Sequence, residues 1–140
     1  MQNALSIALA SLFALSSCTT ADAQTDKTTV SSIGKQEAPS FTLQTVSVRA
    51  SCFPEKLRAI LAHIAAKTRR RPLITSGYRH AHRRGSMHNR CMAADFRMPG
   101  VSERTVVEAA RSAPGIGGIG RYCNGIIHVD IGPRRTWVDC

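Results

Sequence analysis

Cysteines stand at positions 52, 91, 123 and 140, and whether they are bridged decides how the last ninety or so residues hold together. A unit of about that size buries a low fraction of its surface, and disulfides offset the deficit. Bridging requires an oxidising compartment, so the start of the chain matters. Residues 4–17, ALSIALASLFALSS, are uncharged and mostly apolar. They are too few for a membrane span of about twenty residues but suit the apolar region of a secretory signal. The preceding Met1-Gln2-Asn3 lacks the usual Lys or Arg.

Leu15-Ser16-Ser17-Cys18 resembles a bacterial lipobox, which makes Cys18 a candidate lipid anchor to the outer membrane. Ala21-Asp22-Ala23 is a competing cleavage pattern that releases a soluble product. Either exit predicts export to the periplasm. The four remaining cysteines then form two disulfides, with three pairings open; four reduced, buried thiols are the competing state.

The 140 residues support one domain. Residues 1–18 read as signal peptide and lipobox. Residues 19–49, rich in Thr, Ser, Gln and Ala, read as a flexible spacer with one short strand in FTLQTVSV. The folded unit is expected over 50–140. From residue 49 onward there are 17 Lys and Arg against 6 Asp and Glu, a net charge of +11. Such a balance favours an anionic partner: nucleic acid, an anionic membrane surface or an acidic wall polymer. An exported chain with two tyrosines and one tryptophan offers few stacking groups for nucleic acid.

Pro54 suits a helix start, and Leu57, Ile60, Leu61 and Ile64 follow as one apolar stripe. Leu73-Ile74-Thr75-Ser76 reads as a strand, and Ser102 caps a second helix that Pro114-Gly115 stops. Asn124-Gly125 between strand-like residues signals a hairpin. In the strand after it, alternation sends Ile127, Val129 and Ile131 to the core and puts His128 and Asp130 on the opposite face. A two-residue hairpin places Arg121 across from His128, which makes it a candidate substrate contact. Gly115-Ile116-Gly117-Gly118-Ile119-Gly120 matches GxGxxG, but it follows a helix and leads into a strand, the reverse of a dinucleotide site.

His88 and Asp95 come from one irregular segment, and His128 from the hairpin strand. Two imidazoles and a carboxylate make a three-point site for one Zn²⁺, with a fourth position open to water. A cluster of His80, His82 and His88 is the alternative, but Arg79, Arg83 and Arg84 make that loop unfavourable for another cation. A Ser86–His128–Asp130 nucleophilic triad lacks the strained elbow that such a serine needs.

Ser86-x-His88-x6-Asp95, with Ala93-Ala94 before the aspartate, resembles the SxHxxGxAxD signature of the D-Ala-D-Ala metallopeptidase group. Ser76-Gly77-Tyr78-Arg79 resembles its SGYR segment. Gly118-x-Gly120-Arg121-Tyr122, His128-Val129-Asp130 and Gly132-Pro133-Arg134-Arg135-x-Trp137 resemble the MepK-like murein endopeptidase branch. The resemblance implies a small α+β domain of the hedgehog/D-Ala-D-Ala peptidase kind, with an antiparallel sheet, two helices and zinc in a surface groove. It implies His88, Asp95 and His128 as zinc ligands, Arg79 at the substrate or the developing oxyanion, and Ser86 lining the site. The partner implied is peptidoglycan, cut by a monomeric zinc hydrolase, or held without cutting by a module that retains the zinc site.

Two departures bear on that reading. Cys91 stands where the signature has glycine. A bridge to Cys52, with Cys123–Cys140 as the second, is preferred over a thiolate ligand that would close the site. No base precedes His128, which makes Asp130 the candidate catalytic proton acceptor, with orientation of His128 as its alternative role.

Overall fold

The computed structural model describes residues 39–80 and 84–140. The leader with Cys18, most of the spacer, and His82 with Arg83 lie outside the described residues.

Helix α1, Glu55–Thr68, follows Pro54, and its Leu57, Ile60, Leu61 and Ile64 are fully buried. The stripe read from the sequence is therefore the helix's core face. Helix α2, Glu103–Arg111, starts at Ser102, whose hydroxyl accepts from the Thr105 amide. That bond satisfies one of the free N–H groups at a helix start. Six strands make one sheet: β1 Thr42–Leu43, β2 Leu73–Ser76, β3 Ala93–Arg97, β4 Gly118–Tyr122, β5 Ile127–Asp130 and β6 Arg135–Asp139. Their order across the sheet is β1-β2-β3-β5-β4-β6.

The sheet is mixed, which corrects the antiparallel expectation. β1 pairs with β2 in parallel because α1 crosses between them, and such a crossover returns the chain in the same direction. β6 pairs with β4 in parallel. β5 already fills the inner side of β4, so the next reversal of the chain lands on the outer edge. The central pairs β2–β3, β3–β5 and β5–β4 are antiparallel. The short strand expected in residues 41–48 is Thr42–Leu43, and it joins the sheet, so the folded unit begins ahead of residue 50.

Both helices cover one face of the sheet. Ile74, Ala94, Phe96, Ile119, Ile127 and Val129 point into that layer and pack with the α1 stripe and with Val106 and Ala110. Because side chains alternate along a strand, Asp95, His128, Asp130, Gly118 and Gly120 share the other face. The chain is bridged at Cys52–Cys91 and Cys123–Cys140.

The α1 stripe carries much of the core, and none of its side chains touches solvent. Leu61→Ala should destabilise the fold by about 3 kcal/mol, read as a lower midpoint in urea unfolding with an unchanged slope.

Candidate metal centre

One row across the sheet builds the site. Register pairs Ser76 with Asp95, Asp95 with His128, His128 with Gly120, and Gly120 with Trp137. A register shift in β2 between Ile74 and Ser76 sits at one end of the row, as bulges commonly do beside functional sites. Asp95 and His128 are therefore opposite each other on neighbouring strands, and the ladder sets their approach. His88 arrives from a single 3-10 turn, Met87–Arg90, packed over β3.

Cys91 ends that turn in the left-handed region, at φ 58°. This explains the glycine of the resembling signature, since left-handed backbone costs other residues roughly 1–2 kcal/mol. In this chain the residue is instead held by its bond to Cys52, on the lead-in to α1. Thus the loop between two site residues is tied covalently to the rest of the fold.

His88, Asp95 and His128 are all buried and bring their donor atoms together. Asp95 Oδ1 lies 2.7 Å from His128 Nδ1 and 3.3 Å from His88 Nε2, and the two nitrogens are 3.3 Å apart. The outer nitrogens are already committed. His88 Nδ1–H donates to the Gly77 carbonyl at 2.6 Å, and His128 Nε2–H donates to Asp130 Oδ2 at 2.9 Å. Both outer partners only accept, so each inner nitrogen meets the carboxylate oxygen through a lone pair when its ring is neutral and through an N–H when it is protonated. The three inner atoms call for positive charge between them, supplied by protonated imidazole or by a cation. A tetrahedral ion with bonds of about 2.0 Å has ligand–ligand edges of about 3.3 Å, so the residues fit a small divalent metal.

The electrostatics agree. Burial opposes ionisation of Asp95, yet hydrogen bonds from His128 and His88 hold its carboxyl well below the usual range. Burial also opposes charge on His128, but its bonds to Asp130 and Asp95 raise its pKa. Asp130 is fully buried. Against that burial, bonds from His128 and from the Gly118 and Gly132 amides lower its pKa to about 2.

Asp130 sits on the far side of the His128 ring from the other two ligands. Its Oδ1 accepts from the Gly118 and Gly132 amides, both at 2.8 Å, and its Oδ2 accepts from Arg135 Nη2 at 2.6 Å as well as from His128. A carboxylate so enclosed has little capacity to take a proton at the metal. The geometry therefore favours Asp130 as the group that orients His128 over the catalytic proton acceptor expected from the sequence.

Trp137 and Arg135 complete the surroundings of the His128 ring. The indole lies 5.0 Å from the His128 ring, with the Arg135 guanidinium 5.1 Å from its centroid. The rejected glycine motif now has its explanation. A Cβ at Gly118 would overlap the Asp130 carboxylate, and one at Gly120 would overlap Trp137. These glycines let a carboxylate and an indole lie flat against β4; their spacing alone could not reveal it.

Around the row opens a cleft of about 750 Å³, lined among others by Arg79, Arg84, Ser86, Tyr122, Trp137 and Asp139. Arg79 Nε donates to Ser76 Oγ at 3.0 Å, and its Nη2 reaches Asp95 Oδ2 at 3.5 Å, which sets it beside the His–Asp–His cluster. Ser86 precedes the turn that carries His88 and makes no capping bond. Arg121 is a correction. The hairpin loop has three residues, with Gly125 at φ 79° and the Tyr122 amide bonded to the Ile126 carbonyl. Register therefore pairs Arg121 with Ile127, not His128. Its guanidinium turns to Glu103 of α2, at 2.9 Å, away from the cleft. His80 is exposed and packs edge-on against Tyr78.

A family model for the peptidoglycan L,D-endopeptidase MepK matches residues 53–137. The chain belongs to that family. No curated protein and no solved structure matches it. In this MepK-family chain the matched segment contains all three metal-site residues, Asp130 and Trp137, and ends two positions before Asp139.

If Asp130 orients His128, Asp130→Ala should weaken zinc binding by roughly 10–100-fold. Gly118→Ala should do so as well, by displacing that carboxylate. Titration against a competing chelating dye checks both, with far-ultraviolet dichroism confirming an intact fold.

Proposed function

We propose that this peptidase is a zinc-dependent endopeptidase of peptidoglycan that cuts peptide bonds in stem peptides or their cross-links. The observation that carries the reading is the convergence of His88, Asp95 and His128 within a basic cleft. Two imidazoles with one carboxylate are a donor set typical of catalytic zinc, which keeps a position open. Bound there, zinc supplies an acidified water nucleophile and polarises the scissile carbonyl.

The protein's own groups do the rest. Gly77 and Asp130 fix the tautomer and tilt of the two imidazoles through their outer nitrogens. Arg79, next to Asp95, donates to the oxygen on which negative charge builds in the transition state. Ser86 and Trp137 border the bound peptide. Arg84, with Arg79, draws in the stem-peptide carboxylates. Asp130 holds His128 and takes no proton from the reaction.

Export is part of the proposal, supported by the two disulfides, which persist in an oxidising compartment such as the periplasm. Anchoring through Cys18 is proposed on the lipobox alone.

The test is muropeptide mass spectrometry of sacculi treated with the zinc-loaded chain. Wild type should release peptide products, a chelator should stop release, and added zinc should restore it. His88→Ala should lose both the bound zinc and the products. Unchanged cleavage by that variant overturns the mechanism, and binding of sacculi without products points to a non-cutting module.

A further inference from the structure

The cleft holds a carboxylate that the mechanism does not use. Asp139 is on β6, in register with Tyr122 of β4, and both line the cleft. By alternation they share the face that carries His128 and Trp137. Asp139 is exposed and makes no ion pair among the described residues. Its place is nonetheless fixed. β4 pairs with β6 along its length, and the next residue, Cys140, is bonded to Cys123 at the hairpin. Asp139 and Cys140 lie beyond the segment that the family model matches, whereas Cys123 lies within it.

Position sets what Asp139 can do. It is two strands over from His128 and one row along. With strands about 4.8 Å apart and about 6.7 Å for two residues, its Cα is about 12 Å from that of His128. That is too far to serve the reacting atoms. An extended peptide covers about 3.3–3.6 Å per residue, so Asp139 meets a group about three to four residues along the peptide from the scissile bond. The other charged groups facing the cleft are guanidinium groups: Arg79 and Arg84, and Arg135, which is committed to Asp130. A cleft with arginines at one place and a carboxylate at another complements a ligand bearing both charges.

We propose that Asp139 is a specificity residue whose carboxylate binds the free side-chain ammonium of a diamino-acid residue in the substrate, while the arginines take carboxylates of the same peptide. The proposal rests on the peptidoglycan reading above and names the part of the stem peptide that is recognised. It separates Asp139 from the metal chemistry: its loss changes which peptide binds, not whether zinc does.

The experiment uses two N-terminally blocked synthetic stem peptides containing diaminopimelate, one with its side-chain amine free and one with that amine acetylated. Calorimetry measures their binding to the zinc-loaded full-length chain and to Asp139→Asn. Wild type should bind the free-amine peptide about tenfold more tightly than the acetylated one. Asp139→Asn should lose that preference while holding one zinc per chain. Equal binding of the two peptides by wild type, or a preference that survives in the variant, overturns the proposal. Peptide release from sacculi, measured in parallel, judges the hydrolase reading separately, since binding preference does not require cutting.

Discussion

The approach of Asp95 to His128 across β3 and β5 is the contact on which the rest of the site depends. Their backbones are paired residue to residue, and their polar atoms meet at 2.7 Å. With His88 added, two imidazole nitrogens and a carboxylate oxygen occupy one small volume inside a protein, where uncompensated charge is costly. The arrangement is satisfied by protonated imidazole or by a cation held between the three groups. Among the described residues no buried side-chain nitrogen or oxygen lacks a partner, so the surrounding structure has resolved every other polar demand.

That resolution is layered. The Gly77 carbonyl and Asp130 take the outer nitrogens, the Gly118 and Gly132 amides and Arg135 take the remaining capacity of Asp130, and Trp137 packs against both Arg135 and His128. Each group thereby fixes the next, and the sequence from sheet to loop to ligand is continuous. Glycines at 118 and 120 provide the space. The bridge between Cys52 and Cys91 braces the turn of His88, the one residue of the cluster that does not come from a strand.

Much of this was legible in the sequence because it follows from short-range rules. The apolar stripe of α1, the Ser102 cap and the alternation that put His128 and Asp130 together are local consequences of helix and strand periods. The motifs around Ser86, His88 and Asp95, with the His128-Val129-Asp130 run, pointed to the same three residues that the fold brings together. What could not be read was nonlocal or depended on one residue of loop length. A three-residue hairpin loop in place of two moved Arg121 from the cleft to Glu103. Nothing in residues 42–43 or 135–139 announces which sheet edge they join, so the parallel pairs were missed. The contribution of Asp139 was invisible for the same reason, since it depends on β6 running beside β4.

Two of the three donors stand on adjacent strands, so their separation belongs to the backbone ladder and cannot relax as loop-borne ligands do. Any ion that these three groups hold has to match a spacing largely imposed by the sheet. Bonds near 2 Å suit that spacing, whereas calcium, with bonds of about 2.3–2.6 Å and six to eight oxygens, finds too few oxygens and too small an opening there.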